Sequence, residues 1–349
     1  MNKEALISYI ENSFLKELLG KKDITDISYN GKDIYYLTNL EGRKKYPCSV
    51  KQNDIKDFIR QLANITEKQF SYISPVLDIN VGRYRFNALN HTVGRVGLDE
   101  AVTFSLRIAS SEQKIKRDHQ FMDERLENFF DALIYSRVSI VICGVTGVGK
   151  TEFQKYLVSR MKTDERILII DNTIELAQLQ NDGRLDITLW QADEKNEQAS
   201  ISNLIKNGLR NNPDWMIVSE ARGEEMNDVL NSAMTGIPII TTIHSFDAKS
   251  GTSRMARMIM GKDNSIKYED IISNLDYHFR IFVHLNKFID KNKQVKRYID
   301  SIVQKDEDGS VHEIYSNNLL CKKYAKLSKN FANLIVFDRQ HELLKGFIE

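Results

Sequence analysis

The octapeptide GVTGVGKT at residues 144–151, directly after the apolar run Val138-Ser139-Ile140-Val141-Ile142-Cys143, constrains this chain more than any other segment. It fits the phosphate-loop pattern G-x-x-x-x-G-K-[ST] in the strand-then-helix setting that the pattern needs. Glycines at 144, 147 and 149 let the backbone bend so that successive N–H groups point inward at a phosphate, and a helix opening at Lys150 adds the positive end of its dipole. Gly144, Val145, Thr146, Gly147, Val148, Gly149, Lys150 and Thr151, with Glu152 beside them, are the expected nucleotide contacts. Lys150 is expected to reach the β- and γ-phosphates and Thr151 to give its hydroxyl to Mg²⁺. The chain is thus expected to bind a nucleoside triphosphate.

At 349 residues the chain exceeds the size at which one core stops growing, so two domains are expected. Residues 1–110 read as a helix over Glu4 to Leu19, short strands near Ile24 to Ser28 and Ile34 to Thr38, and a helix from Asn53 to Asn64. Strands at Leu77 to Leu89 and Val102 to Ile108 complete an α+β domain. Residues 111–118, SEQKIKRD, are polar or charged apart from Ile115 and read as a linker. From 119 to 349 the order becomes helix (Phe121 to Tyr135), strand (138–143), phosphate loop, helix (150–162) and strand (Arg166 to Asp171). A helix (Glu197 to Arg210), a strand (Trp215 to Ser219), a helix (Met226 to Thr235) and a strand (Ile239 to Ile243) come next. Strands separated by helices predict an α/β domain with a mainly parallel sheet covered on both faces. A helix (Tyr268 to Asn274), strands at His278 to Leu285 and Val295 to Gln304, and an amphipathic helix near Phe331 to Leu344 are expected to complete it.

Composition narrows the partners. A formal charge of +1 gives no global attraction to nucleic acid or anionic lipid, so direct nucleic-acid binding is not expected. Cys48, Cys143 and Cys321 are too far apart for a C-x-x-C pair, which argues against zinc ribbons and thioredoxin-like chemistry and fits a reduced, cytosolic chain. The N-terminus carries acidic residues throughout, and the longest apolar runs fall short of the roughly 20 residues a membrane helix needs. Any membrane association is therefore expected through partners.

The fate of a bound nucleotide depends on carboxylates. In RILIIDNTIEL the apolar run Ile167 to Ile170 ends at Asp171, with Glu175 four residues on; in DWMIVSEARGEEM the run Trp215 to Val218 ends at Ser219-Glu220. Ligands of an open parallel sheet gather at the carboxyl ends of its strands, so both acids are expected to converge on the phosphates held by Lys150. Hydrolysis needs one carboxylate to act on water and another acceptor to organise Mg²⁺.

Together these residues resemble the ring ATPases of type II and type IV secretion and type IV pilus systems. The resemblance spreads over residues 83–254 and rests on GVTGVGKT, the acidic box IIDNTIEL, the motif PDWMIVSEARGEEMNDVLNSAMTG, and TTIHS ending at Ser245. It implies ATP as substrate, a RecA-like phosphate-loop domain, and a smaller PAS-like α+β domain before it. It also implies Glu175 as the catalytic glutamate, Glu220 as the acid near Mg²⁺, and His244 as a sensor of the γ-phosphate. The resemblance places Arg83 and Arg85 in GRYRFNALN and Arg107 in SLRIA among arginines that contact phosphates from the N-terminal domain. It puts Arg210 and Arg222 near the active site or a subunit interface, and Arg107 and Arg222 are better candidates than Arg95. An arginine suits such a place because its planar fork matches phosphate oxygens.

Each of these residues has a plainer reading. Glu175 fits an exposed acid favoured by a helix start, Glu220 a rim salt bridge, and His244 a hydrogen-bonded structural histidine. The chain also departs from the family pattern. Asp171-Asn172 stands where Glu-Asp is usual, Ser219 where glycine is common, Ile237 where relatives often carry histidine, and Ile239-Ile240 where they carry small residues. These changes put the positioning of Mg²⁺ in question more than nucleotide binding.

Three scattered cysteines exclude the four-cysteine element of type II members, and NLDYHFRIFVHLNK with KRYIDSIVQ resembles the closing strands of type IV secretion and Tad-like pilus members. The expected function is a homohexameric ATPase, cytoplasmic and peripheral to the membrane through inner-membrane partners, powering secretion, conjugation or pilus assembly. The alternatives are a nucleotide-binding structural hub with little turnover and a motor acting directly on DNA.

Overall fold

A computed structural model describes residues 3–21, 23–47, 50–109, 115, 121–181, 183–193, 196–261, 267–319, 321–335, 343–344 and 346–348. Its contacts divide the chain into two units, Met1–Ser111 with Phe288–Lys296, and Glu112–Lys287 with Arg297–Glu349. The expected linker 111–118 lies outside the described residues except for Ile115.

The first unit contains, in chain order, α1 (Lys3–Glu11), α2 (Lys16–Leu19), β1 (Ile24–Tyr29), β2 (Ile34–Thr38), β3 (Gly42–Lys45), α3 (Gln52–Ile65), β4 (Val76–Val81), β5 (Tyr84–Leu89), β6 (Arg95–Val96), β7 (Asp99–Glu100) and β8 (Thr103–Ile108). A six-stranded sheet runs β3-β2-β1-β8-β5-β4 with antiparallel pairing. Period-two alternation explains its two faces. In β5, Tyr84, Phe86 and Ala88 are buried while Arg85 is exposed. Helix α3 buries Ile55, Phe58, Ile59 and Leu62, which recur at helical spacing, and Phe58 meets Phe86 edge to face. The single helix expected over Glu4 to Leu19 is two helices, because the Ser13 hydroxyl donates to the Ile10 carbonyl and accepts from Leu15 N–H between them.

The second unit continues with α4 (Glu124–Tyr135), β9 (Ile140–Cys143), α5 (Lys150–Ser159), β10 (Arg166–Asp171), β11 (Asp186–Gln191), α6 (Ile201–Gly208), β12 (Trp215–Val218), α7 (Glu225–Met234) and β13 (Ile239–Ile243). After these come α8 (Gly251–Met260), α9 (Tyr268–His278), β14 (Ile281–Ile289), β15 (Val295–Lys305), β16 (Val311–Asn317), β17 (Lys322–Tyr324) and α10 (Lys329–Ile335). Nine strands form one sheet in the order β11-β10-β12-β13-β9-β14-β15-β16-β17. It is mixed: neighbours from β11 to β14 pair in parallel, whereas β15, β16 and β17 pair antiparallel. Strands β9, β12 and β13 are buried at every position, as continuous apolar runs in a sheet covered on both faces should be.

Several boundaries differ from the sequence-based expectation for identifiable reasons. The Ser200 hydroxyl caps Asn203 N–H and starts α6 at Ile201, so the helix expected from Glu197 to Arg210 is a short core flanked by 3₁₀ turns. His278 ends α9, and the strand expected from it starts at Ile281. Strand β11 and helix α8 have no counterpart in the sequence-based expectation; β11 is a half-buried sheet edge without strong alternation. The stretch of the expected C-terminal helix at 336–342 lies outside the described residues.

Candidate functional site

The phosphate loop leaves β9 at Cys143 and enters α5 at Lys150, with Gly144, Gly147 and Gly149 at φ 147°, 79° and 100°. All three lie in the region that side chains avoid. At Gly144 space also forbids a side chain, since a Cβ there would stand 2.7 Å from the Leu285 carbonyl oxygen. Lys150 is buried and its Nζ donates to the carbonyls of Gly144 at 2.7 Å and Val145 at 3.3 Å. The lysine is thus folded back over its own loop.

Two cations that sequence motifs do not reveal hold the loop from outside. Lys287 Nζ on β14 donates to the Thr146 carbonyl at 3.2 Å, and Arg297 Nε on β15 donates to the Gly147 carbonyl at 3.0 Å. Burial and the neighbouring Arg297 hold the Lys287 ammonium below its usual range, and burial does the same to Arg297. No local motif marks them, because the contacts span 141 and 150 positions of chain.

A continuous line of contacts leads from the loop to the second acidic motif. Lys150 Nζ lies 3.3 Å from His244 Nδ1, His244 Nε2 lies 2.6 Å from Glu220 Oε1, and Glu220 Oε2 pairs with Arg222 at 2.7 Å. Strands β12, β13 and β9 are parallel neighbours, so Glu220, His244 and the phosphate loop share one edge of the sheet. Burial and the Lys150 charge hold the His244 imidazole below its usual range, against the pull of Glu220. The ring is therefore neutral at neutral pH. Burial pushes Glu220 up, but the Arg222 hydrogen bond, with the charges of Arg222, His244 and Lys150, outweighs it and holds the carboxyl below its usual range. Glu220 is an anion.

The remaining candidates separate. Thr151 is half-buried in the first turn of α5, and Glu152 pairs with the buried Lys155 at 2.7 Å. Glu175 follows β10, the parallel neighbour of β12, at the same sheet edge as Glu220. Arg210 lies beyond α6 and lines a groove of about 590 Å³ with Leu189, Trp190 and Asn207 beside the edge strand β11, four strands from β9. In the first unit, Arg85 and Arg107 are cross-strand partners on the sheet's exposed face, and Asp26 faces Arg107 from the other side. Arg83 donates to the Tyr84 hydroxyl at 2.8 Å, which in turn donates to Glu11 at 2.6 Å, and Arg95 pairs with Glu100 at 3.2 Å.

Among the described residues no cluster of three or more His, Cys, Asp or Glu side chains suits a metal ion. The site nevertheless fits Mg²⁺ arriving with phosphates. Glu220 Oε1 is buried without a hydrogen-bond donor, despite its closeness to the histidine ring, and so retains acceptor capacity that a cation or its waters would satisfy. No helix among the described residues is long and apolar enough to cross a membrane.

Known proteins share the sequence family and the fold. The chain is 28% identical over 340 residues to an uncharacterized protein of Bacillus anthracis, covering 93% of this chain and 76% of that one. It is 28% identical over 146 residues to the protein VirB11 of Rhizobium radiobacter, 42% of either chain. The X-ray structure of the ATPase DotB of Legionella pneumophila shares the fold with a TM-score of 0.60 at 17% identity, over 88% of this chain and 82% of that one. Residues 85–316, which carry the phosphate loop, both acidic motifs and the histidine, match the model of the type II/IV secretion system proteins, and the chain belongs to that family.

Proposed function

We propose that the chain is a RecA-like ATPase that hydrolyses ATP at the phosphate loop and powers a type IV secretion, conjugation or Tad-like pilus machine. The observation that carries this reading is the contact line from Lys150 through His244 and Glu220 to Arg222, laid along the edge where the loop opens. Residues 119–349 form the ATPase domain in this proposal, and residues 1–110 form a PAS-like domain joined through 111–118. The active form is a homohexamer, cytoplasmic and held at the membrane by inner-membrane partners.

The loop amides receive the phosphates, and Lys150 turns from the Gly144 and Val145 carbonyls to the β- and γ-oxygens. Glu175 orients and deprotonates the attacking water. Thr151 and Glu220 are the residues that would hold Mg²⁺, which when bound neutralises charge on the phosphate oxygens. The neutral His244 ring, in contact with both Lys150 and Glu220, senses whether the lysine has moved to the γ-phosphate. Arg222, with Arg83, Arg85 and Arg107 of the first unit, supplies positive charge for the transition state, and Arg210 serves a subunit interface.

The test is steady-state ATP hydrolysis by the purified protein, with particle mass measured with and without nucleotide. Turnover in a particle of about six chains supports the motor reading, by analogy with hinge transitions biased by nucleotide. Binding and assembly with no turnover would instead select a nucleotide-binding hub.

A further inference from the structure

The acidic box makes its turn against the preferences of its own residues. Ile174 sits at φ 58°, a conformation that a β-branched side chain strongly disfavours. No glycine relieves it. Something must hold the turn: Ala177 N–H donates to the Ile174 carbonyl at 3.2 Å, and the side chain that grips it from both ends is that of Asp171.

Asp171, the last residue of β10, is fully buried, and both oxygens of its carboxylate are engaged by the turn after the strand. Oδ1 accepts from both the backbone N–H and the hydroxyl of Thr173 at 2.8 Å, and Oδ2 accepts from the backbone N–H of Leu176 at 3.0 Å. The carbonyl of Asp171 accepts from Ala192 N–H at 3.0 Å, which fixes the anchor itself to the chain beyond β11. Leu176 is fully buried in the core. The two anchored residues, 173 and 176, bracket Ile174 and Glu175. The direction in which Glu175 leaves the backbone is thus set by a carboxylate four residues earlier.

We propose that Asp171 is a positioning residue: it holds the strained turn at Ile174 and so aims Glu175, rather than contributing to the Mg²⁺ site. This rests on the reading of Glu175 as the group that acts on water. Asp171 has three donors on its two oxygens, and each oxygen faces a backbone N–H. An asparagine cannot reproduce this, because its amide nitrogen would face a donor with a donor.

The experiment compares wild type, Asp171→Asn, and Asp171→Asn combined with Ile174→Gly, measuring kcat, KM, ATP binding, and hydrogen exchange at the amides of Thr173 and Leu176. Glycine adopts positive φ freely, so it removes the strain that Asp171 holds. The expected result is a kcat lowered about tenfold or more in Asp171→Asn with KM and ATP binding within about twofold, as misaimed catalytic groups give. Exchange at 173 and 176 should quicken, and the added Ile174→Gly should recover part of the kcat. Loss of ATP binding in step with kcat, an unchanged kcat, or no recovery on adding Ile174→Gly would each overturn the proposal. A wild type without turnover would defeat the hydrolytic reading instead. The exchange rates still decide the anchor in that case, and unchanged protection in Asp171→Asn would overturn it.

Discussion

Two turns leave parallel strands at one edge of the same sheet, and they are built on opposite plans. The phosphate loop after β9 places its positive φ angles on three glycines, and Lys150, Lys287 and Arg297 take carbonyls at Gly144, Val145, Thr146 and Gly147. In the proposed function its amides receive the ligand. The acidic box after β10 places a positive φ on an isoleucine, and amides at 173 and 176 are taken by its own carboxylate. Its geometry needs no ligand. On the proposed reading one turn receives charge and the other holds a side chain still.

The largest expected effect is at Lys150, which belongs to the receiving turn. Lys150→Ala should lower ATP turnover by about a hundredfold or more, as removal of a group that stabilises transition-state charge does. Turnover near wild type in this variant would break the comparison, because the loop would then not be the receiving turn.

Backbone substitutions sharpen the contrast. Gly144→Ala forces a side chain at φ 147° against the Leu285 carbonyl, and should destabilise the protein by about 1–3 kcal/mol in denaturant unfolding. Ile174→Gly removes strain at φ 58° and should be much milder in the same assay, the gain in backbone ease offsetting lost side-chain contacts. Equal losses would erase the distinction between the turns.

The contact line also sets a pH dependence. His244 has its folded pKa lowered, so below the usual histidine range the unfolded chain takes up a proton that the folded chain resists. Stability should therefore decline as pH falls from about 7 to about 5, and His244→Gln should flatten that limb of the urea-unfolding profile. Glu220 has its folded pKa lowered too, so its contribution is present above the usual carboxylate range and is lost as pH falls through the folded value. Glu220→Gln should remove that more acidic limb and, because the Glu220 charge pulls the His244 pKa up, deepen the decline between pH 7 and 5. A profile with the same slope between pH 7 and 5 in His244→Gln would contradict the half-buried, neutral ring.

The smallest effect is expected in the first unit. Arg85 and Arg107 stand directly opposite across β5 and β8, and like charges so placed repel. Arg85→Ala should raise the stability of the nucleotide-free protein by about 0.2–1 kcal/mol while lowering ATP turnover. A loss of stability would mean that the pair is not held against repulsion.

The same contrast explains what the sequence made legible. Glycine spacing is local, so the phosphate loop and its place between strand and helix are readable directly, as are the buried runs of β9, β12 and β13. Nothing local marks an isoleucine at positive φ. By sequence alone Asp171 therefore looks like a shortened family acid that disturbs Mg²⁺, whereas its carboxylate is engaged by the turn. Lys287 and Arg297 are hidden for another reason, since strand pairing brings them to the loop from the far end of the chain. Beyond them β15, β16 and β17 add antiparallel pairs to the run of parallel strands that helix–strand alternation predicts.

The most direct test measures ATP binding and ATP hydrolysis on the same samples of wild type, Lys150→Ala and Glu175→Gln. If one turn receives the phosphates and the other aims the group that acts on water, Lys150→Ala loses binding and turnover together, while Glu175→Gln binds ATP and fails to cleave it. Full turnover by Glu175→Gln would contradict the account.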